Sequence, residues 1–544
     1  MRISRALVLV PVMALGCGGN GEPDPGAPAG AGGSAAAAAG ASGKAGGAGA
    51  SSGKGGAAGA TAGKGGAAGA SAGKGGAAGA SAGGAAGKSG GGASGAAGAS
   101  GKGGAAGGSG KGGAAGAGGA GGASGIGGSA GASGAGAGGA GGATPTTPVF
   151  LPEKTSLGAD DVAILINTDD PQSVAVGEHY RVARGIPSAH VIALPLGAGL
   201  GVSIGADVFA KWKTMIDAAT PASVQAFAVS WTQPTVVDCM SLTSALAFGF
   251  DKKWCNQSGG CGSTAQSPYF DVDTHAPQTA LGVRPAIVLA GVSTADAITF
   301  IDRGVAADGT FPTGDGWLLR TTDSARSVRY FEFQQSIAAW SHPEVLKLTY
   351  VDNAMGTGKD YIEGQKDVLF YLTGLADVPM IKSNTYRPGA LADHLTSYGG
   401  QIPNSGQMSI LRWLEAGATG SFGTVVEPCN YTTKFPDSTV LLPRYYRGET
   451  LLEAYWKSVA WPGEGLFIGE PLAKPWGTKT AFAGGMLTIT TTTMAVGKTY
   501  AIESAPAPTG PWTQVQGNVT IPYLQAATLT VPNATAAYYR LKGP

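Results

Sequence analysis

The sequence predicts an α/β protein: a doubly wound, mostly parallel sheet, preceded by a disordered Gly/Ala-rich tether and followed by a small β-sandwich. From residue 161 onward, runs typical of buried strands alternate with helical patterns, as they do in βαβ units. After residue 478 the apolar segments become short, rich in Thr and Tyr, and separated by turn signals. Before residue 145 the chain is nearly all Gly, Ala, Ser and Lys, and this composition cannot bury a core.

The N-terminus has the plan of an export signal. Arg2 and Arg5 precede an apolar run at 6–15 that is too short to span a bilayer. Cys17 ends an Ala-Leu-Gly-Cys stretch that resembles the lipobox of bacterial lipoproteins, with Cys17 as the lipidated residue. Residues 1–17 are therefore predicted to be a lipoprotein signal that gives an outer-membrane or cell-surface protein. The alternative is an ordinary cleaved signal, which gives a periplasmic or secreted protein.

The composition of residues 18–145 predicts a disordered linker. A ten-residue unit, GKGGAAGASA with close variants, recurs from Gly53 to Ala82, and it contains no large apolar residue that stacking could bury. Seven lysines and no acidic residue lie between Gly26 and Pro145. We expect the lipid anchor to attach this tether to a membrane. The lysines make anionic envelope polymers a candidate partner, and solubility alone is the alternative.

Residues 146–478 are predicted to form the α/β domain. Its strands are expected at DVAILIN, AHVIALPL, VQAFAVSW, RPAIVLAGV, GWLLRTT, LKLTYVD, KDVLFYLTG, ATGSFGTVV and LFIGE. Its helices are expected at PQSVAVGEHYRVAR, ADVFAKWKTMIDAA and TADAITFIDRGVAA, the first of them beginning at Pro171 and ending near Gly185. In such a sheet, ligands bind at the carboxyl ends of the strands, where the strand order reverses.

Residues 479–544 are predicted to form the β-sandwich. The segments MLTITTTTMAV, KTYAIESA, PWTQVQG, ATLTVP and AYYRLK are short strands broken by turns, and they resemble the fibronectin-like modules that end many secreted bacterial proteins. Trp512 and Tyr538 are expected in the core of this module, the alternative being aromatic side chains that face a carbohydrate.

Four cysteines follow Cys17, and an even number in an oxidising compartment predicts two disulfides. The short loop CNQSGGC favours a bond between Cys255 and Cys261, which leaves Cys239 to pair with Cys429. A zinc site is the alternative, but the chain lacks the closely paired Cys or His ligands that structural zinc uses.

Several long segments resemble one family of proteins. They include LINTDDPQSVAVGEHYRVARGIPSAHVI, SPYFDVDTHAPQTALGVRPAIVLAG, IDRGVAADGTFP, PGALADHLTSYGG and AGATGSFGTVVEPCNYTTKFPD. The family is an uncharacterised group of secreted bacterial proteins that occurs in genomes carrying exosortase, and the likeness runs from about Asp161 to Trp476. The resemblance implies export and no particular activity.

The order of the segments VSWTQP, DVLFYLTGLAD, LTSYGG and ATGSFGTVV is similar, more distantly, to the gingipain peptidases, which have the caspase-like α/β fold. Their catalytic His stands in a Gly-His-Gly turn after one strand, and their catalytic Cys ends the next. Carried over by position, the His site falls on Leu375, between Gly374 and Ala376, and the Cys site falls on Ser397. The resemblance therefore implies a peptidase-like domain that has lost its catalytic dyad.

The segment PGALADHLTSYGG, at 388–400, places Asp393, His394 and Ser397 close together in sequence. On a helix, His394 and Ser397 would lie on one face, so that His394 could act as the base for a Ser397 nucleophile. Asp393 would then point about 100° away from His394. The alternatives are a capped turn, in which Thr396 and Ser397 satisfy backbone donors, and a polar binding site.

Five residues are candidates for the rim of a binding site around these positions: Leu375, Asp377, Gly399, Gly400 and Glu427. Cys429, with Glu427 nearby, is a third candidate for a nucleophile if its thiol is free. Glu427 and Cys429 both follow the predicted strand ATGSFGTVV, and a site is expected at the end of such a strand.

The segment FDVDTHAPQ places Asp271, Asp273 and His275 at alternate positions. Asp271 and Asp273 would offer oxygen ligands to Ca²⁺, the one cofactor that the sequence suggests, but a solvated acidic loop is the alternative. The chain has no basic face with interleaved aromatic residues, which excludes a typical nucleic-acid partner. The sequence does not indicate an oligomeric state.

We therefore expect an exported, surface-anchored protein with a degenerate peptidase-like α/β domain and a binding or envelope-organising role. The alternative is an active hydrolase of the peptidase or esterase type, with Ser397 as nucleophile and His394 as base.

Overall fold

The computed structural model describes residues 145–256, 261–340 and 342–544 of the chain. The predicted signal, Cys17 and nearly all of the predicted tether lie outside the described residues. The strands are β1 (Val149–Phe150), β2 (Val162–Asn167), β3 (Val191–Leu194), β4 (Ser203–Ile204), β5 (Ala226–Val229), β6 (Val236–Val237), β7 (Met240–Ser241), β8 (Ala286–Val288), β9 (Asp315–Arg320), β10 (Lys347–Asp352), β11 (Val368–Gly374), β12 (Tyr386–Leu395), β13 (Gly420–Thr424), β14 (Gly465–Gly469), β15 (Lys479–Ala483), β16 (Met486–Thr491), β17 (Tyr500–Ala505), β18 (Thr513–Val519), β19 (Ala527–Val531) and β20 (Tyr538–Lys542). The helices are α1 (Pro171–Arg184), α2 (Ala206–Ala219), α3 (Leu242–Phe248), α4 (Pro277–Leu281), α5 (Thr294–Ala307), α6 (Tyr330–Ala339), α7 (Leu411–Ala416), α8 (Ser438–Tyr446) and α9 (Leu451–Ser458).

A ten-stranded sheet is the centre of the α/β part, in the order β10-β9-β11-β12-β13-β14-β8-β5-β2-β3. All neighbouring strands in it run parallel except β13 and β14, which are antiparallel. The predicted mixed α/β class with a large, mostly parallel sheet is therefore confirmed. The strands β2, β5 and β11 are buried along their whole length, which explains why they read as continuous apolar runs.

The antiparallel pair divides the sheet into two half-sheets of five parallel strands. The first half-sheet has the order β3-β2-β5-β8-β14, and the second has the order β10-β9-β11-β12-β13. Each half-sheet thus follows the order 2-1-3-4-5 when its strands are counted along the chain, and the whole second half-sheet is inserted between α5 and β14. Because the halves meet in antiparallel fashion, their strands' carboxyl ends face opposite edges of the sheet.

The local sequence explains where α1 begins and ends. The Asp170 side chain accepts a hydrogen bond from the backbone N–H of Gln172 at 3.0 Å, and Pro171 occupies the first helical position. Gly185 ends the helix with φ of 64°, a left-handed conformation that favours glycine. The predicted helix at 171–185 is therefore confirmed, and it starts only three residues after β2.

The C-terminal strands form two small sheets, in the orders β1-β20-β17-β18 and β15-β16-β19. They enclose a separate apolar cluster that includes Leu487, Ile502 and Tyr539. The strand β1 comes from the segment assigned by sequence to the α/β domain, but it pairs in parallel with β20. Trp512 and Tyr538 are both only partly buried, contrary to the expectation of core positions, and Arg540 lies over the Trp512 ring at 4.2 Å.

The structure contains two disulfides, but the predicted pairing was wrong. Cys239 is bonded to Cys255, and Cys261 is bonded to Cys429. A short helical turn at Lys252–Trp254 returns the chain to the β6–β7 hairpin, where the backbone N–H of Asp251 contacts the Met240 sulfur. Closeness in sequence therefore did not decide the pairing. Two disulfides agree with export to an oxidising compartment, and no helix within the described ranges is long and apolar enough to span a membrane.

Candidate functional site

The segment at 388–400 is a strand followed by a turn, so the helical arrangement of His394 and Ser397 is wrong. Asp393 and His394 both lie in β12, with 1% and 0% of their surfaces exposed. Neighbouring residues of a strand point to opposite faces of the sheet. The three residues of the hypothetical triad are therefore separated by the pleat of the strand and by the turn that follows it.

Both ring nitrogens of His394 are engaged in the core. The indole N–H of Trp413 donates to Nδ1 of His394 at 2.9 Å, so Nδ1 carries no proton. The other nitrogen, Nε2, then carries the proton and donates it to the carbonyl of Met408 at 3.1 Å. Burial lowers the pKa of His394 to about 3, because the charged imidazolium would lose its hydration. This imidazole has no free lone pair with which to accept a proton from Ser397.

Asp393 is bound to Arg329 on the other face of β12. The Arg329 guanidinium donates to Oδ1 of Asp393 at 2.6 Å and to the carbonyl of Thr373 at 2.7 Å. Both side chains of this ion pair are 1% exposed. Asp393 therefore neutralises a buried arginine and does not orient an imidazole.

Ser397 is partly exposed in the turn after β12. Its carbonyl accepts a hydrogen bond from the Thr424 hydroxyl at 2.9 Å, and no described residue contacts its own hydroxyl through a hydrogen bond. The neighbouring Thr396 hydroxyl donates to the side-chain oxygen of Gln407 at 2.8 Å. The turn is thus held by contacts to the backbone and to Thr396, which leaves Ser397 as a serine without a base.

The rim candidates fall into three groups. Leu375 directly follows β11, and Gly374 is in register with Leu395 of the adjacent β12, so Leu375 and Ser397 lie at the same edge of the sheet. Gly399 and Gly400 are buried, and a Cβ on Gly400 would come within 2.6 Å of the carbonyl oxygen of Gly423. These glycines allow a close approach of the turn to β13. Asp377 and Glu427 are exposed, and a carboxylate oxygen of Glu427 accepts the N–H of Cys429 at 2.8 Å.

The remaining sequence-based sites are occupied by other contacts. Cys429 has no free thiol, because it is bonded to Cys261, and it is not a nucleophile. Asp271 and Asp273 both accept hydrogen bonds from the guanidinium of Arg444, at 2.9–3.1 Å. Among the described residues, no group of three or more His, Cys, Asp and Glu side chains is placed to hold a metal ion.

A cleft of 340 Å³ opens at the carboxyl ends of β2, β5 and β8. The chain runs from β2 outward to β3 and then returns across to β5, so the strand order reverses between β2 and β5, where a doubly wound sheet opens a crevice. It is lined by Asn167, Asp169, Asp170, Pro171, Gln172, Gly197, Ala198, Gly199, Leu200, Thr232, Gln233, Gly291, Val292 and Pro403. We call this the switch-point cleft.

Asn167, the last residue of β2, fixes one wall of the switch-point cleft. Its amide donates to the carbonyl of Gly197 at 2.7 Å, and its side-chain oxygen accepts the N–H groups of Asp169 and Leu196, both at 3.1 Å. A carboxylate oxygen of Asp169 accepts the N–H of Gly197 at 2.9 Å. One buried amide therefore holds the turn after β2 against the loop after β3.

Gln172 and Thr232 fix the floor of the cleft. The Gln172 amide donates to the carbonyl of Gly291 at 3.1 Å and to the Thr232 hydroxyl at 3.4 Å. The Thr232 hydroxyl in turn donates to the same Gly291 carbonyl at 3.0 Å. The ends of β5 and β8 are thus joined through the first turn of α1, and the polar groups of the floor are positioned before any ligand arrives.

The charge of the switch-point cleft is negative. Asp169 and Asp170 line it, and no Lys, Arg or His side chain is among its lining residues. The lining also lacks Ser and Cys, and its one hydroxyl, on Thr232, is committed to a backbone carbonyl. The cleft can therefore accept hydrogen bonds from a small ligand, but it offers no nucleophile with an adjacent base.

Sequence reasoning missed this cleft, although the signals for it were present. The buried strand DVAILIN is followed at once by Thr-Asp-Asp-Pro, a polar turn that opens a helix. What the sequence did not supply was the order of the strands, which decides where the sheet reverses. A comparison of the chain with protein-family models, with curated proteins and with solved structures finds no match.

Proposed function

We propose that this chain is an exported, surface-anchored binding protein whose α/β domain has a caspase-like, degenerate peptidase fold without hydrolytic activity. The observation that carries the proposal is the state of His394, whose two ring nitrogens are both held in the core by Trp413 and Met408. A serine hydroxyl is too weakly acidic to attack a carbonyl unless an adjacent base accepts its proton. Ser397 stands at the sheet edge where the gingipain resemblance puts the nucleophile, and Leu375 stands where it puts the base.

The binding role is supported by the switch-point cleft. It is large enough for a ligand of the size of an amino acid or a monosaccharide. Its walls are fixed by hydrogen bonds of Asn167 and Gln172 within the protein, so little conformational entropy is lost when a ligand binds. The free acceptors on its surface suit a ligand that carries N–H or O–H donors.

The envelope location in this proposal rests on the N-terminal sequence and on the two disulfides. Lipid attachment at Cys17 would hold the chain at a membrane, and the Gly/Ala-rich segment would carry the folded part away from it. The two disulfides suit an oxidising compartment.

A serine-reactive fluorophosphonate probe tests the absence of hydrolysis. We expect the full-length protein to remain unlabelled at pH 8, while a known serine hydrolase in the same tube is labelled. The matched variants are Ser397→Ala and, as a control, Ser324→Ala, which changes an exposed serine elsewhere. Labelling that persists in Ser324→Ala and disappears in Ser397→Ala would establish an active hydrolase and overturn the proposal.

A further inference from the structure

The two half-sheets share more than their strand order. In the first, Ile164, Ala228 and Ile287 lie side by side on β2, β5 and β8. In the second, the corresponding row on β9, β11 and β12 is Leu318, Leu372 and Asp393. Residues the same number of positions beyond these two rows are therefore equivalent in the two half-sheets. This equivalence extends to the carboxyl ends of the strands, where each half-sheet has its crevice.

A repeated hydrogen bond supports this correspondence. Three residues beyond the row, the N–H of Asn167 donates to the hydroxyl of Ser173 at 2.9 Å. At the equivalent place in the second half-sheet, the N–H of Thr321 donates to the hydroxyl of Ser327 at 2.8 Å. In both cases the serine follows six residues later: Ser173 lies in the first turn of α1, and Ser327 lies in the turn that leads into α6. The same counting makes Asp169 the counterpart of Asp323, and Gln172 the counterpart of Arg326.

At the corresponding place in the second half-sheet, an acid is paired with a cation of the chain itself. A guanidinium N–H of Arg326 donates to a carboxylate oxygen of Asp323 at 2.7 Å, and the Nε–H of Arg326 donates to the Thr396 hydroxyl at 3.2 Å. The turn that carries Arg326 lies directly on the end of β11, where a Cβ on Gly374 would come within 1.8 Å of the Arg326 carbonyl oxygen. Arg326 thus links Asp323 to Thr396, which directly follows β12, the fourth strand of this half-sheet in chain order.

The first half-sheet retains the acid of this arrangement and lacks the cation. Asp169 occupies the place of Asp323, and the neutral Gln172 occupies the place of Arg326. The Gln172 amide reaches Gly291 beyond the fourth strand, β8, as Arg326 reaches Thr396 beyond β12. Only three residues separate β2 from α1, whereas nine separate β9 from α6. The shorter connection leaves room for the switch-point cleft at the carboxyl end of β2.

We propose that the switch-point cleft binds a guanidinium or primary ammonium group, with Asp169 as its counter-ion. The inference rests on the proposed function, which makes this cleft the binding site. The second half-sheet shows how the same geometry pairs an acid with a guanidinium, and the cleft adds a further carboxylate at Asp170 and no competing cation among its lining residues. The ligand is a small amine or an arginine or lysine side chain that a partner inserts into the cleft.

Isothermal titration of the full-length protein tests this inference with matched probes. Agmatine represents a small free amine, N-acetyl-arginine amide and a blocked arginine peptide represent an inserted side chain, and N-acetyl-citrulline amide replaces the guanidinium by a neutral urea of the same shape. We expect at least one guanidinium probe to bind and the citrulline probe to bind at least tenfold more weakly. Binding of agmatine alone would indicate that the natural ligand is a small free amine. Binding of the N-acetyl-arginine amide and the arginine peptide would indicate a side chain inserted by a partner.

Three variants separate the outcomes. Asp169→Asn keeps an acceptor for the Gly197 N–H and should weaken guanidinium binding about tenfold, whereas Asp207→Asn, at an exposed acid on α2, should leave it unchanged. Ala198→Trp should fill the cleft and abolish binding. Thermal melting of each variant checks that it is folded.

Equal binding of the citrulline probe, or unchanged binding in Asp169→Asn, would overturn the charge inference while the loss in Ala198→Trp still supports the cleft as the binding site. If no cationic probe binds but a neutral polyol such as a monosaccharide does, the charge inference fails and the proposed function stands. Binding of any probe that is unaffected by Ala198→Trp would overturn the cleft as the site, and with it both this inference and the binding role assigned to the cleft. The absence of hydrolysis is tested separately, by the fluorophosphonate probe.

Discussion

Replacement of Glu453 by glutamine should make the folded protein less stable in a pH-dependent way. Glu453 is fully buried in α9, and its carboxylate accepts hydrogen bonds from the His275 ring at 2.6 Å, from the Leu157 N–H at 2.9 Å and from the Thr450 hydroxyl at 2.8 Å. Burial alone would raise the pKa of Glu453, but these donors and the charge of Lys457 outweigh it and hold the pKa at about 2.

The magnitude follows from the displacement of the pKa. An ordinary glutamate pKa near 4.5 against about 2 in the folded chain corresponds to about 3 kcal/mol of stability at neutral pH. Because the folded-state pKa is the lower one, this stabilisation is complete above about pH 4.5 and is lost as the pH falls towards 2. The destabilisation by Glu453→Gln should therefore fall from about 3 kcal/mol at pH 6 to about 2 kcal/mol at pH 3.5.

Urea unfolding of the wild type and of Glu453→Gln at the two pH values measures this difference. The control is Glu363→Gln, which removes an exposed partner of Lys359 and should change stability by less than about 1 kcal/mol at either pH. A destabilisation by Glu453→Gln that is the same at pH 6 and pH 3.5, or below 1 kcal/mol at both, would show that the ionised Glu453 carboxylate does not supply this stability.

Three further predictions concern backbone packing, cross-linking and export. Gly374→Ala should destabilise the protein by about 3 kcal/mol, because its Cβ would overlap a backbone carbonyl, whereas Gly201→Ala, with open space around it, should be nearly neutral in thermal melting. Removal of both cysteines of the Cys261–Cys429 bond should lower the free energy of unfolding by about 5 kcal/mol, and removal of the Cys239–Cys255 bond should lower it by about 3 kcal/mol. The first loss is larger because that bond closes the longer loop. Equal losses in urea unfolding would contradict this order. Cys17→Ser should abolish metabolic labelling by an alkyne fatty acid, and labelling that persists would exclude Cys17 as the lipidated residue.

The sequence predicted the class of the fold well because buried parallel strands and capped helices leave direct patterns. DVAILIN reads as a strand since both of its faces are covered, and Asp170, Pro171 and Gly185 mark the ends of α1. The strand order left no such pattern, because the second half-sheet is inserted between α5 and β14 and only tertiary pairing decides that β14 joins β8.

The candidate site was misread for a related reason. Asp393 and His394 are polar residues in the buried part of β12, and their partners, Arg329 and Trp413, lie 64 and 19 residues away in the chain. Without those partners the segment ALADHLTS looks like a polar turn or a helix with reactive groups. The polarity of such a strand says little about chemistry until its buried partners are known.

The ring of His394 offers the most direct test of the claim that this domain does not hydrolyse substrates through Ser397. Nitrogen-15 labelling of the histidines, with long-range proton–nitrogen correlation between pH 5 and pH 8, reports which ring nitrogen carries the proton, and Trp413→Phe identifies the His394 signals by shifting Nδ1. We predict a neutral ring throughout this range, with the proton on Nε2 and an unprotonated, hydrogen-bonded Nδ1. A His394 ring that titrates near its ordinary pKa of about 6.5, and whose signals shift in Ser397→Ala, would contradict the account.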